Sequence, residues 1–164
     1  MKNGAGALMD FGCYNALWSL WYLGRPDTVY ATVAHLQPER FPKVEDNATI
    51  VLGYPKAAGV FEGSWDLPRS FQDLEVFGRK GSIYVTDRNI KKQIGREAID
   101  IKPEALAGAA AEPIAYMVDA IRNNQPIEGL VSVELNVQVN EIIDAAKESV
   151  KTGKAVKLAP AKAT

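Results

Sequence analysis

Apolar and polar residues follow a period that changes several times along this chain, and each change marks an element. From Asp10 to Leu23 the run DFGCYNALWSLWYL has helical length, and Gly24-Arg25-Pro26 ends it by C-cap and proline chemistry. Phe11, Tyr14, Leu17, Trp18, Trp21 and Tyr22 cover most of that helix's circumference, so it needs cover on more than one side. Thr28 to Leu36 alternates as a strand, with Val29, Ala31, Val33 and His35 on one face. LQPERFPKVED reads as a loop. Two strands then flank Tyr54-Pro55-Lys56 within NATIVLGYPKAAGVFEGSW, and Leu74 to Phe77 pairs with Ser82 to Thr86 around Gly78-Arg79-Lys80-Gly81. Asn89 to Ile94 and Ala98 to Ile101 read as short edge strands.

Beyond the small-residue linker KPEALAGAAAEP the period becomes helical again. Pro113 opens a helix whose apolar stripe is Ile114, Met117, Val118 and Ile121, ending near Asn123-Asn124. A longer helix spans Val131 to Lys151 and closes at Thr152-Gly153. Helix, strands, then helices, without repeating βαβ units, predict an α+β fold. The expected architecture is an open, mostly antiparallel sheet of about five to six strands with helices on one face. It is expected as one domain over residues 1–158, with 159–164 a frayed tail.

Composition narrows the function classes. The 164 residues are 47% apolar and 24% charged, ordinary for a globular chain, and the formal net charge is −1 with basic residues scattered. That pattern gives no electrostatic case for nucleic acid or an anionic membrane. The one cysteine, Cys13, excludes an internal disulfide and a thiolate metal site, and it reads as a small buried hydrophobe. His35 alternates with Val33 and has no partner cluster, so no metal site is expected. No apolar run is long enough to span a bilayer and no signal peptide opens the chain, so a soluble, cytoplasmic protein is expected.

The opening NGAGALMDFG resembles the start of a dinucleotide fingerprint, with Asp27 near the spacing of a ribose-binding acid. The chemistry does not follow through. Too few residues precede Gly4 for a strand, Met9 stands where a small residue must let helix and sheet approach, and no parallel βαβ unit follows. Asp27 more simply belongs to the turn after Pro26.

GAGALMDFGCYNALWSLWYLGRPDTVYA does resemble the opening of the C-terminal domain of the Gfo/Idh/MocA (glucose–fructose oxidoreductase-like) oxidoreductases. EDNATIVLGY, VFEGSW, LEVFGRKGSIYV and GLVSVELNVQVNEIIDAAKESVKTGKAVKL extend the resemblance over nearly the whole chain. It implies an open sheet with helices on one face and the other face available for oligomerisation. It implies that Asp10 contacts a substrate hydroxyl, that Tyr14 stands at the proton-transfer position, and that Asn15 lies beside them in the substrate site. Read without the resemblance, Asp10 suits an N-cap and Tyr14 a core or interface aromatic.

The implied chemistry has a physical basis. Asp10 and Tyr14 are i and i+4, so one helix face presents both. A phenol titrates near ~10 and needs a nearby positive charge to take a proton near neutral pH. In the family a Lys of a Glu-Lys-Pro motif in the Rossmann domain gives that help, along with NAD(P). Glu-Lys-Pro does not occur in this sequence. The expectation is a substrate-binding and oligomerisation domain without the Rossmann half, with no cofactor of its own and no catalysis alone. It is expected to form a homo-oligomer, a dimer, through the sheet face and exposed apolar helices. The alternatives are a sugar- or polyol-binding module and a half-enzyme completed by a separate nucleotide-binding chain; Trp65 and Tyr54 could form a sugar-stacking platform, but sheet packing is the expected use.

Overall fold

Alternation in the first half of the chain resolves into strands whose buried sides coincide. A computed structural model describes residues 5–69 and 72–160. Contacts divide the chain into two compact units, Met1–Asp66 with Ala120–Thr164, and Leu67–Asp119.

In the first unit β1 (Thr28–Ala34), β2 (Asn47–Gly53), β3 (Ala58–Ser64) and β8 (Val156–Lys157) form an antiparallel sheet in the order β3-β2-β1-β8. Register aligns Val29 with Leu52 and Gly59, and Ala31 with Ile50 and Phe61. Those rows meet α1 (Ala7–Asp10), α2 (Gly12–Leu23) and α4 (Val133–Thr152) in one hydrophobic core that includes Leu20, Ile142, Ile143 and Ala146. Cross-strand partners share a face, so the opposite side carries the row Tyr30, Val51 and Val60 between threonine-bearing rows. Val60 on that side is 68% exposed. One face covered by helices and one left open is the alternation of an antiparallel sheet read at its simplest.

Strand β8 is too short for a sequence pattern to reveal, and its two residues pair only with Thr28 and Val29. Past it, the Ala31 N–H has no strand to meet. The buried Ser149 of α4 takes that role, its Oγ accepting from Ala31 N at 2.9 Å. Arg25, just past α2, donates from Nη1 to Glu141 on α4 at 2.5 Å and from Nε to the Ala159 carbonyl at 3.0 Å.

In the second unit β4 (Leu74–Gly78), β5 (Gly81–Thr86), β6 (Asn89–Ile94) and β7 (Glu97–Ile101) form an antiparallel meander. One face holds the rows Leu74, Val85, Ile90, Ile101 and Val76, Ile83, Lys92, Ile99. The other is polar, carrying Glu75, Tyr84, Lys91 and Asp100. The α+β class and antiparallel order agree with the sequence pattern. The count of about five to six strands is approximate, since the described residues carry eight in two four-stranded sheets.

Helix α3 (Pro113–Arg122) starts at the proline the sequence marks, but Ile114, Met117, Val118 and Ile121 all remain exposed. Helix α4 starts two residues later than the pattern suggests. Ser132 caps it, its side chain accepting from Leu135 N, and left-handed Gly153 closes it. Gly4 and tail residues 161–164 lie outside the described residues.

Candidate functional site

The helix bearing Asp10 starts earlier than its sequence suggests. Gly6 is the residue before α1, extended at φ −92° and ψ −171°, and Asp10 is the last residue of that short helix. The N-cap role read for Asp10 is therefore replaced: its own N–H already bonds to the Gly6 carbonyl at 3.0 Å. A carboxylate does serve the helix start, but it is that of Glu45. The Glu45 carbonyl accepts from Ala7 N at 3.0 Å and its Oε1 from Leu8 N at 3.3 Å. A Cβ on Gly6 would overlap the Glu45 carboxylate. The glycine is needed for that approach, and the place a phosphate would take at this helix start is filled from within.

Phe11 joins α1 to α2 with αR backbone angles, and Asn15 N continues the bonding to the Phe11 carbonyl at 3.2 Å. The chain can press here against β3 because residue 63 is glycine; a Cβ there would stand 2.6 Å from Phe11 Cβ. Asp10 is exposed, Tyr14 is 61% exposed, and Asn15 is half-buried. The three sequence-identified residues therefore lie within two turns of one helical segment, on or near the surface.

Asp10 has a partner that its local sequence does not announce. Trp65, just past β3, donates its indole N–H to Asp10 Oδ2 at 2.9 Å, and its ring packs against Phe41 at 4.9 Å between centroids. Asp10 Oδ2 is thereby engaged, and Tyr14 follows one turn on with its ring largely exposed. Cys13 is half-buried, its Sγ 3.4 Å from the Asp10 carbonyl; burial pushes its thiol up, and the Asp10 charge adds to the shift.

Tyr54 and Trp65 do not form one stacking platform. They lie at opposite ends of the β2–β3 hairpin, separated by strands of seven residues, roughly 20 Å. Tyr54 instead shares a hydrogen bond with Ser19 Oγ at 2.6 Å, and burial raises its phenol above the ordinary value. His35, past the end of β1, is bonded through Nε2 to the Phe41 carbonyl and staples its own loop. Among the described residues no group of three His, Cys, Asp or Glu side chains is arranged to hold a metal. No helix among them is long and apolar enough to cross a membrane.

Residues 1–84 match the model of the GFO/IDH/MocA C-terminal domain. The chain belongs to that family. Solved structures agree on the GFO/IDH/MocA fold. An aldose–aldose oxidoreductase from Caulobacter crescentus, complexed with glycerol, superposes with a TM-score of 0.76 at 22% identity, over 94% of this chain and 48% of its own. Levoglucosan dehydrogenase in its apo form gives 0.76 at 18%, over 95% and 52%. An oxidoreductase from Agrobacterium radiobacter in complex with NAD+, L-tartaric acid and magnesium gives 0.72 at 19%, over 90% and 48%. The chain thus spans about half the length of these structures. Comparison with curated proteins returns no match.

Proposed function

We propose that this chain is the substrate-binding and oligomerisation domain of a Gfo/Idh/MocA-type NAD(P)-dependent sugar oxidoreductase. The observation that carries the reading is the surface pairing of Asp10, held by Trp65, with Tyr14 one turn on in a domain of this family. One oxygen of Asp10 is occupied by the indole, and the other can accept from a substrate hydroxyl. Tyr14 offers a phenol to the same or the next hydroxyl. Glycerol, levoglucosan and tartaric acid in the names of the structural relatives are all polyhydroxylated, which favours a sugar or polyol as substrate.

The chain's own residues do not fit a dinucleotide. Its glycine-marked helix start is already occupied by the Glu45 carbonyl and carboxylate. We infer that the chain alone binds no nicotinamide cofactor and does not turn over substrate. A cytoplasmic setting suits its composition.

Self-association follows from surface that a lone chain leaves wet. Trp18, Trp21 and Tyr22 on α2 are 40–53% exposed, as are Ile83, Ile94, Ile99 and Ile101 of the second sheet at 40–46%. Covering such area stabilises by ~25 cal/mol per Å², and contiguous patches beyond a few hundred Å² rarely stay bare. A homodimer formed through sheet faces is the reading we favour. Mass by light scattering, with polyols, NAD(H) and NADP(H) titrated into the same sample, tests all three parts. The expected result is a dimer that takes up a polyol and ignores the nucleotides. A monodisperse monomer, or micromolar nucleotide binding, rejects the corresponding part. Reductase turnover that appears only on adding a separate nucleotide-binding chain identifies a half-enzyme.

A further inference from the structure

Antiparallel register decides what stands together at the far end of the β2–β3 hairpin. Asn47 pairs with Ser64, so Asp46 lies across from Trp65, and Trp65 N donates to the Asp46 carbonyl at 2.8 Å. Asp66 follows directly. Both carboxyls are shut from water: Asp46 is 0% exposed, and neither side-chain oxygen of Asp66 reaches solvent. They are supplied very differently. Asp46 accepts from Leu36 N through Oδ1 and from Gln37 N through Oδ2, each at 2.7 Å, which ties the β1–β2 loop to the sheet. No donor reaches either oxygen of Asp66.

A buried carboxylate without a donor is strongly disfavoured, and a second carboxylate beside it makes the charge harder still to hold. A neutral Asp66 removes both difficulties, because its O–H becomes a donor and Asp46 is the acceptor at hand. We propose that Asp46 and Asp66 share one proton, carried by Asp66, and that this clasp sets the position of Trp65 and through it the Asp10 carboxylate. Trp65 is held twice from the Asp46 side of the clasp and precedes Asp66 directly: its backbone bonds to Asp46, and its ring rests on Phe41 of the loop that Asp46 holds. Its indole then reaches Asp10. Trp65 is a positioning residue in this scheme, and the clasp stands whether or not Asp10 touches substrate.

The surrounding charges are mixed. Burial holds the Asp66 carboxyl above the ordinary carboxylate value, the Asp46 charge and Glu39 add to that, and Arg40 opposes it. Burial also works against charge on Asp46, but the Leu36 and Gln37 N–H groups outweigh it and keep that carboxyl below its ordinary value. His35 is engaged with Phe41, and Glu45 with Leu8. The signs follow by linkage. Asp66's contribution to stability is whole below its unfolded value, near 3.8, and is lost as pH rises through its folded value. Asp46's is present above 3.8 and lost as pH falls through its folded value. The clasp is closed between the two, and the two steps belong to the pair.

Carboxyl-carbon NMR on the full chain from about pH 2 to about pH 9 tests this, with the Trp65 indole N–H followed in the same samples. Two aspartates, assigned to positions 46 and 66, are expected to titrate on either side of the ordinary range. The indole resonance, assigned with Trp65→Phe, moves with the upper step. Asp66→Asn supplies a permanent amide donor, so it fixes that resonance at its low-pH position and removes the high-pH fall in melting temperature. Two ordinary titrations in the unsubstituted chain overturn the clasp. So does an indole shift that persists in Asp66→Asn, or one that vanishes in His35→Gln.

Discussion

The two units are built from similar strands yet reach opposite ends of the burial scale. In the first, the rows Val29–Leu52 and Ala31–Ile50 sit beneath α2 and α4, with Leu52 and Ile142 at 0% exposure. In the second, Ile83, Ile99 and Ile101 alternate just as regularly but are 40–41% exposed, and none of the described residues from 67 to 119 belongs to the hydrophobic core. Alternation therefore specifies a face; it does not say what will cover it. The first sheet is covered by its own helices. The second presents a finished apolar face to solvent, which is why self-association is the reading its energetics favour.

Substitutions can break that contrast. Ile142→Ala is expected to lower unfolding free energy by ~2–5 kcal/mol in urea melts, because a packed site cannot fully collapse around the lost atoms. An equal loss from Ile99→Ala would mean the second sheet has a closed core of its own. Ser149→Ala leaves the Ala31 N–H buried without an acceptor and is expected to cost about 1–3 kcal/mol. Tyr54→Phe removes the bond to Ser19, with a loss of ~0.5–1.5 kcal/mol, and should remove the Tyr54 step from an alkaline titration. Ile83→Glu together with Ile99→Glu, which set opposite charges on either side of Lys92 in the same row, should change the stability of the isolated fold least, within ~0.5 kcal/mol per site. Light scattering should nonetheless show the oligomer reduced to monomer. An oligomer of unchanged mass would move the interface off this face.

The sequence was most legible where the signal is local. Pro113, Gly153 and the β2–β3 and β4–β5 turns place element ends to within a residue or two, since backbone chemistry at those points does not depend on distant partners. It was least legible where partners arrive from afar. Glu45 serves a helix start 37 residues before it in sequence, so Asp10 looked like the natural cap. Trp65 reaches Asp10 across 55 residues, and Asp46 meets Asp66 only through the β2–β3 register. The apolar stripe of α3 is plain in the sequence, yet the pattern carries no information on whether anything buries it. Site residues within one helix could be grouped from sequence; their supports could not.

Ser149 has one more effect, on how this molecule can grow. A strand edge with open N–H groups invites another chain to extend the sheet, and β8 shields only the first two residues of β1. By occupying the Ala31 N–H from a buried position on α4, Ser149 closes the next rung of that edge to a newcomer. A foreign strand would have to pull a helix out of the core before it could add a rung. Removing the hydroxyl alone would leave that helix in place, so the Ala31 N–H would lose its acceptor while the edge stayed covered.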